Sequence, residues 1–283
     1  MTFTPPSLPT DSNDNFTYHS KIDTDEPVIL GVDEAGRGPV IGPMVYAVAY
    51  CPITYKEQLK SHGYNDSKVL KEQVRLEMFT ELCTTDLKNK LGWATTALSP
   101  MKISQGMLDP LLPYNLNEQA HDTTRDLIKL VLDSGIKIAE VYVDTVGPPE
   151  KYQAKLKQLF PQINSITVTK KADSLFPIVS LASICAKVTR DLCVTRTLGT
   201  NCGSGYPADP NTVKWLKSNM DPLFGWGNYV RYSWQTAEKM LNEQGYNVNW
   251  ELQAEAKENK KRRFTEAPAT LPQISLDMLG SCI

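Results

Sequence analysis

The chain has 283 residues, 41% of them hydrophobic, with 30 basic and 32 acidic side chains and a formal charge of −2. That length supports one large domain with or without a small appendage, and the lack of any apolar run near the ~18 residues a membrane helix needs excludes a helical membrane protein. The near-neutral balance gives no global signature of a nucleic-acid binder, but TVTKKAD, AKVTRD and KENKKRR concentrate positive charge locally, as phosphate contact requires.

The opening MTFTPPSLPTDSNDNFTYHS is rich in Thr, Ser, Pro and Asp and has no basic-then-apolar leader pattern, so residues 1–26 read as a disordered tail. An apolar run from Val28 then predicts a strand ending near Asp33, followed by a Gly-Arg-Gly turn and a second strand in IGPMVYAVAYCPI. NDSKVLKEQVRLEMFTELCTT reads as a helix with Leu70, Val74, Met78 and Leu82 at one-turn spacing, and LGWATTALS alternates like a strand. The clearest helix is NLNEQAHDTTRDLIKLVLDSG, with Asn117 as N-cap, Ala120, Leu127, Ile128 and Val131 on one face, and Gly135 as the stop. IAEVYVDTVG gives a strand ending at Asp144, Pro148-Pro149 starts a helix through Leu159, and SITVTK is a further strand. After Asp173, SLFPIVSLASICAKVTRDLCVT forms a long helix with Pro177 in its first turn.

Strands first, then alternating helices and strands, indicate an α/β sheet with crossover helices. From about Gly203, Gly/Pro-rich and aromatic-rich pieces mark a smaller helical region, and residues 252–283 form a polar tail. The six cysteines form no C-x-x-C, which points to reduced thiols in an intracellular compartment and away from zinc. Of the three histidines, His19 falls in the tail, so a Ser-His-Asp or Cys-His mechanism would rest on His62 or His121, and His121 suits helix packing or surface.

Asp33-Glu34 and Asp144 end predicted strands, and Asp173 sits at a strand-to-helix junction. Each has an ordinary alternative: a solvated turn for the first three, a helix cap for Asp173. Strand ends of one α/β sheet, however, are where distant residues assemble into sites. Carboxylates gathered there repel one another unless a cation neutralises them, and Mg²⁺ or Mn²⁺ suits an all-oxygen shell. Such ions support phosphodiester cleavage without a histidine. Asp33 and Glu34 point to opposite faces of a strand, so both converge only if the backbone curls at Ala35-Gly36. GVDEAGRG is a near miss for a phosphate-binding loop, and Gly42 comes one place late for a dinucleotide fingerprint. Close approach to a ligand remains, with Arg37 offering a fork of donors, against the alternative of a tight hairpin.

GVDEAGRGPVIGPMVYA, NDSK, VYVDTVGPPEKYQAKL, KKADSLFPIVSLASICAKVTRD, GSGYPADP and NYVRYSW occur in the order that resembles the catalytic (A) subunits of eukaryotic type 2 ribonucleases H. The resemblance spans about Val28 to Trp250. It implies a ribonuclease H-like mixed sheet flanked by helices, and Mg²⁺- or Mn²⁺-dependent cleavage of RNA in RNA–DNA hybrids and at single ribonucleotides in duplex DNA. It further implies a nuclear heterotrimer with two non-catalytic subunits, B and C. Carried over by motif, Asp33, Glu34, Asp144 and Asp173 are the metal-binding catalytic acids. Gly36, Arg37 and Gly38 sense the ribose 2′-hydroxyl, and Tyr206 packs on the sugar of the next, deoxy, nucleotide. Lys68 in NDSK is a candidate phosphate contact. Counting along the helix puts Lys187 about 20 Å from Asp173, which leaves it for distant phosphates or structural pairing; Arg190 reads as structural. Lys260-Lys261-Arg262-Arg263 is either a localisation signal or a solvated basic tail. The rival readings are another metal nuclease of the same fold, such as a junction resolvase, and a scaffold that binds hybrid without cutting it.

Overall fold

The computed structural model describes residues 3–11, 13–64, 70–145 and 147–246. In chain order these form β1 (Phe16–Ser20), β2 (Val28–Ala35), β3 (Met44–Pro52), α1 (Lys56–Ser61), α2 (Glu72–Thr84), β4 (Gly92–Leu98), α3 (Pro100–Leu108) and α4 (Leu116–Asp133). Next come β5 (Ile138–Asp144), α5 (Pro149–Leu159), β6 (Ser165–Thr169), α6 (Ala172–Leu175), α7 (Pro177–Leu198), α8 (Pro210–Ser218) and α9 (Gln235–Gln244). Among the described residues the strands make one mixed sheet in the order β1-β4-β3-β2-β5-β6. The first four are antiparallel neighbours, while β5 and β6 run parallel to β2. Parallel neighbours need crossovers, and α4 and α5 supply them.

Strand alternation sorts the core into two layers. Val28, Leu30 and Val32 of β2 face α4 and α5, while Ile29 and Ala35 face α7. Helix α7 lies so close to β2 that a Cβ on Gly31 would fall 2.5 Å from the Ile178 carbonyl carbon. Only glycine permits that approach, and it fixes how α7 runs past the end of β2. The expected face of α4 is buried as read, and Gly135 takes a left-handed φ of 90° just past its end. Its cap is Asn115 rather than Asn117: the Asn115 side chain accepts from the Asn117 and Glu118 amides, and Glu118 reaches back to the Asn115 amide. In α2 the inward residues are Phe79 and Leu82, whereas Val74 is exposed, because the helix starts at Glu72 and turns a different edge toward α7.

The tail expected over residues 1–26 is corrected in part. Its composition hides a short alternating stretch, and Phe16–Ser20 pair with β4 as an edge strand. Upstream, the buried Ser7 hydroxyl meets that of Thr189 at 2.8 Å, and Ile22 is buried downstream. The helical C-terminal region has its own apolar cluster, in which Leu216, Trp226 and Val230 pack on Val40 and Ile41. The polar tail, the basic run at Lys260 and Lys68 lie outside the described residues.

Candidate active site

Val32 of β2 stands opposite Val143 of β5, so the next residue in each, Asp33 and Asp144, share the α7-facing side at the strand ends. Asp33 is only 5% exposed. Its Oδ1 accepts the Glu34 amide at 2.8 Å. Burial pushes its pKa up to about 7, and the charge of Asp144 adds to that. Hydrogen bonds from Ser183 and the Glu34 amide, and the charge of Lys187, work in the opposite direction. Asp144 Oδ1 accepts the Ala172 amide at 2.8 Å, which ties β5 to α6 and brings the buried Asp173 to the same edge.

Glu34 takes the other face of β2, where its charge raises the hydroxyl pKa values of Tyr46 and Tyr152 on top of the larger effect of burial. The strand runs straight through Ala35 before Gly36 turns it, so the curl that would join Glu34 to Asp33 comes too late. The acids therefore meet at one sheet edge from two faces. Among the described residues no three His, Cys, Asp or Glu side chains stand together as a ready metal-holding group.

Lys187 is placed quite differently from the distance count along α7. That helix passes the end of β2, and the Lys187 ammonium donates to Ser183 Oγ at 2.8 Å, beside Asp33. Separation from Asp173 was the wrong ruler, because the acid Lys187 meets lies on another strand. Arg190 is structural as expected: it pairs with Asp191 and donates to the Ile41 and Ser204 carbonyls.

Gly36, at φ +76°, starts a loop whose carbonyls are held from far along the chain. The buried Arg231 donates from Nε to Gly42, from Nη1 to Arg37 and from Nη2 to Gly36, at 3.0, 3.0 and 2.6 Å. Trp234 Nε1 adds a 2.9 Å bond to the Gly38 carbonyl, and the Arg231 guanidinium lies 4.7 Å from the Trp234 ring centre. Burial, then repulsion from Arg190 and Arg37, lowers the Arg231 pKa; three carbonyl acceptors offset that cost. Sequence reasoning missed both residues, although a lone cation in the aromatic run NYVRYSW was a signal. The Arg37 side chain donates to Asn117 Oδ1. Tyr206, 48% exposed, lies with its ring against Gly38, where a Cβ would come within 3.1 Å of it. His121 stacks on Tyr152 with ring centres 4.0 Å apart, and burial lowers its pKa.

A mixed sheet with acids at neighbouring strand ends, beside a braced glycine-arginine loop, defines a hydrolase of the ribonuclease H class. Comparison with known proteins narrows this. The profile of the family Ribonuclease HII matches residues 30–237. The A subunit of ribonuclease H2 from Schizosaccharomyces pombe is 54% identical over 256 residues, which cover 85% of this chain and 77% of that one. The crystal structure of ribonuclease H2 from Pyrococcus horikoshii OT3 is 32% identical, with a TM-score of 0.66 over 78% of this chain and 100% of that one. Bst-RNase HIII in complex with Mn²⁺ shares the fold at a TM-score of 0.60, with 16% identity over 77% of this chain and 70% of that one. The chain belongs to the ribonuclease HII family, and is an endonuclease of the ribonuclease H type.

Proposed function

We propose that this chain is the catalytic subunit of a divalent-metal endonuclease that cuts the RNA strand of RNA–DNA hybrids. It also cuts 5′ of single ribonucleotides in duplex DNA, leaving 5′-phosphate and 3′-hydroxyl ends. The observation that carries the proposal is the buried Asp33 carboxylate beside Asp144 at adjacent strand ends, next to the braced Gly36–Gly38 loop.

The donors fit a hard cation by chemistry: all are carboxylates, and burial and Asp144 together oppose the ionisation of Asp33 in the absence of positive charge. Asp33, Glu34, Asp144 and Asp173 would hold Mg²⁺ or Mn²⁺, and the Mn²⁺ bound by Bst-RNase HIII supports that class of ion. When bound, such ions activate a water and stabilise the leaving 3′ oxygen of an in-line displacement. Ser183 keeps the Asp33 carboxylate oriented, and Lys187 holds Ser183. Main-chain groups of Gly36 and Gly38 and the Arg37 fork address the 2′-hydroxyl, the group that separates RNA from DNA. A site built around that hydroxyl is left with unpaired groups by an all-DNA strand, which gives strong discrimination. Tyr206, against Gly38, packs on the following deoxyribose and leaves no room for a second hydroxyl.

The Schizosaccharomyces pombe relative is named as one subunit of its ribonuclease H2, which supports assembly with two non-catalytic subunits, B and C. The region after Tyr206, where Leu223 and Phe224 are 50% and 73% exposed, is assigned to part of that contact. Action in the nucleus, in ribonucleotide removal and DNA replication, completes the reading. The test incubates the chain, alone and with candidate partners, with Mg²⁺ and an end-labelled duplex bearing one ribonucleotide. One nick on its 5′ side is expected, with all-DNA duplex left intact. Cutting of branched all-DNA would favour a junction resolvase, and binding without magnesium-dependent cutting a scaffold.

A further inference from the structure

A cavity of about 490 Å³ opens beside the acids, with Glu34, Arg37 and Asp144 on one wall and His121, Lys151 and Lys155 among the residues facing them. The lysines are four apart on α5 and so share one edge of that helix. Tyr152 and Leu156, one position on in each case, are buried in the core, which sets the lysine edge along the margin of the sheet. Both lysines are exposed. Neither forms an ion pair among the described residues, although other surface lysines such as Lys60 and Lys129 do. The carboxylates in the same cavity are those already assigned to the cation. Arg37, Lys151 and Lys155 then give a locally positive groove leading away from the scissile position. Tyr206 lines none of it and lies against Gly38 instead.

We propose that Lys151 and Lys155 form a subsite for the phosphate immediately 5′ of the scissile one on the cleaved strand. Tyr206 and this subsite thus grip the strand on opposite sides of the cut. The half-buried His121, stacked on Tyr152, gives the groove a flat wall on which the upstream sugar rests. This inference rests on the nuclease reading above.

The test is steady-state cleavage of a duplex bearing one ribonucleotide, in Mg²⁺, across a salt series. The double variant Lys151→Gln/Lys155→Gln should raise KM about tenfold, equivalent to the loss of two exposed phosphate contacts, with kcat nearly unchanged. Its salt dependence should be shallower by about 2 in log–log slope. Lys157→Gln, on the same helix but outside the cavity, should match wild type. A methylphosphonate at the 5′-flanking linkage should weaken wild-type binding by the same factor and cost the double variant nothing more. An unchanged salt slope, an equal loss in Lys157→Gln, or an additive loss with the methylphosphonate would overturn the subsite while leaving the nuclease reading intact. A wild-type protein that leaves the duplex uncut at every Mg²⁺ level would overturn the nuclease reading, and the subsite with it.

Discussion

Asp33 and the loop that starts at Gly36 are three residues apart in the chain, yet they are held in different ways. Asp33 is fixed by the β2 ladder, with β3 on one side and β5 on the other, and by α7 packed across its face. The loop has almost no regular structure. It takes its shape from Arg231 and Trp234, residues 189 to 196 positions later, and from Gly205, whose carbonyl accepts the Val40 amide at 2.8 Å. The chemical floor is therefore specified locally by strand pattern, whereas the recognition loop depends on the C-terminal region docking first. Damage to the two should look different: loss of turnover in a stable protein for the floor, and loss of stability and binding together for the loop.

The largest effect is expected at the floor. Asp33→Asn or Asp144→Asn should lower kcat by about a thousandfold or more, the scale seen when one preorganised charged group is removed from a transition state. Circular dichroism and the thermal midpoint should stay close to wild type, since the amide keeps the shape of the acid. Near-normal turnover in either variant would remove the metal assignment.

The loop gives the next largest. Arg231→Gln leaves buried carbonyls of Gly36, Arg37 and Gly42 without their donors, and should cost about 2–4 kcal/mol of stability. KM for a ribonucleotide-bearing duplex should rise with it, read in urea titrations and steady-state kinetics. Arg231→Lys should rescue little, because one ammonium cannot reproduce a planar fork aimed at three acceptors. Full rescue by lysine would mean that charge, rather than the brace, is what the loop requires. At the loop's outer side, Tyr206→Phe should retain more activity than Tyr206→Ala, since the ring's packing against Gly38 outweighs its hydroxyl. Equal losses would remove the packing role.

The same contrast governs what could be read from the sequence. The β2–β3 pair, the α4 stripe, Pro177 at the start of α7 and the acids at strand ends were legible, because each is written in neighbouring residues through a period of 2 or 3.6. What escaped was long-range. The meeting of Lys187 with Ser183 and Asp33 depends on how α7 lies over β2, which Gly31 permits and no spacing announces. The brace at Arg231 joins segments nearly the whole chain apart. Sorting Glu34 away from Asp33 follows from strand alternation, but the position of the turn at Gly36 decided it. Edge strand β1 was hidden by the tail-like composition around it, since five alternating residues contribute little to a window average.

That edge strand adds a third case to the comparison and the smallest expected effect. On β1, held by one neighbour only, His19 Nε2 and the Tyr50 hydroxyl are 2.8 Å apart. Burial, with Lys21 adding repulsion, lowers the His19 pKa below its ordinary 6.5. The folded protein therefore binds fewer protons at His19 than the unfolded chain between that lowered value and 6.5. By linkage, its contribution to stability is complete above pH 6.5 and declines as the pH falls through 6.5 toward the folded value. Urea midpoints at pH 7.5 and 5.5 should thus separate further for wild type than for His19→Gln, which cannot be protonated. Hydrogen exchange should quicken at β1 amides on acidification while β2 and β5 stay protected, because the edge can loosen without the floor. An identical pH response in the two proteins would assign acid sensitivity to other groups and leave β1 held by backbone pairing and its aromatic contact with Trp93.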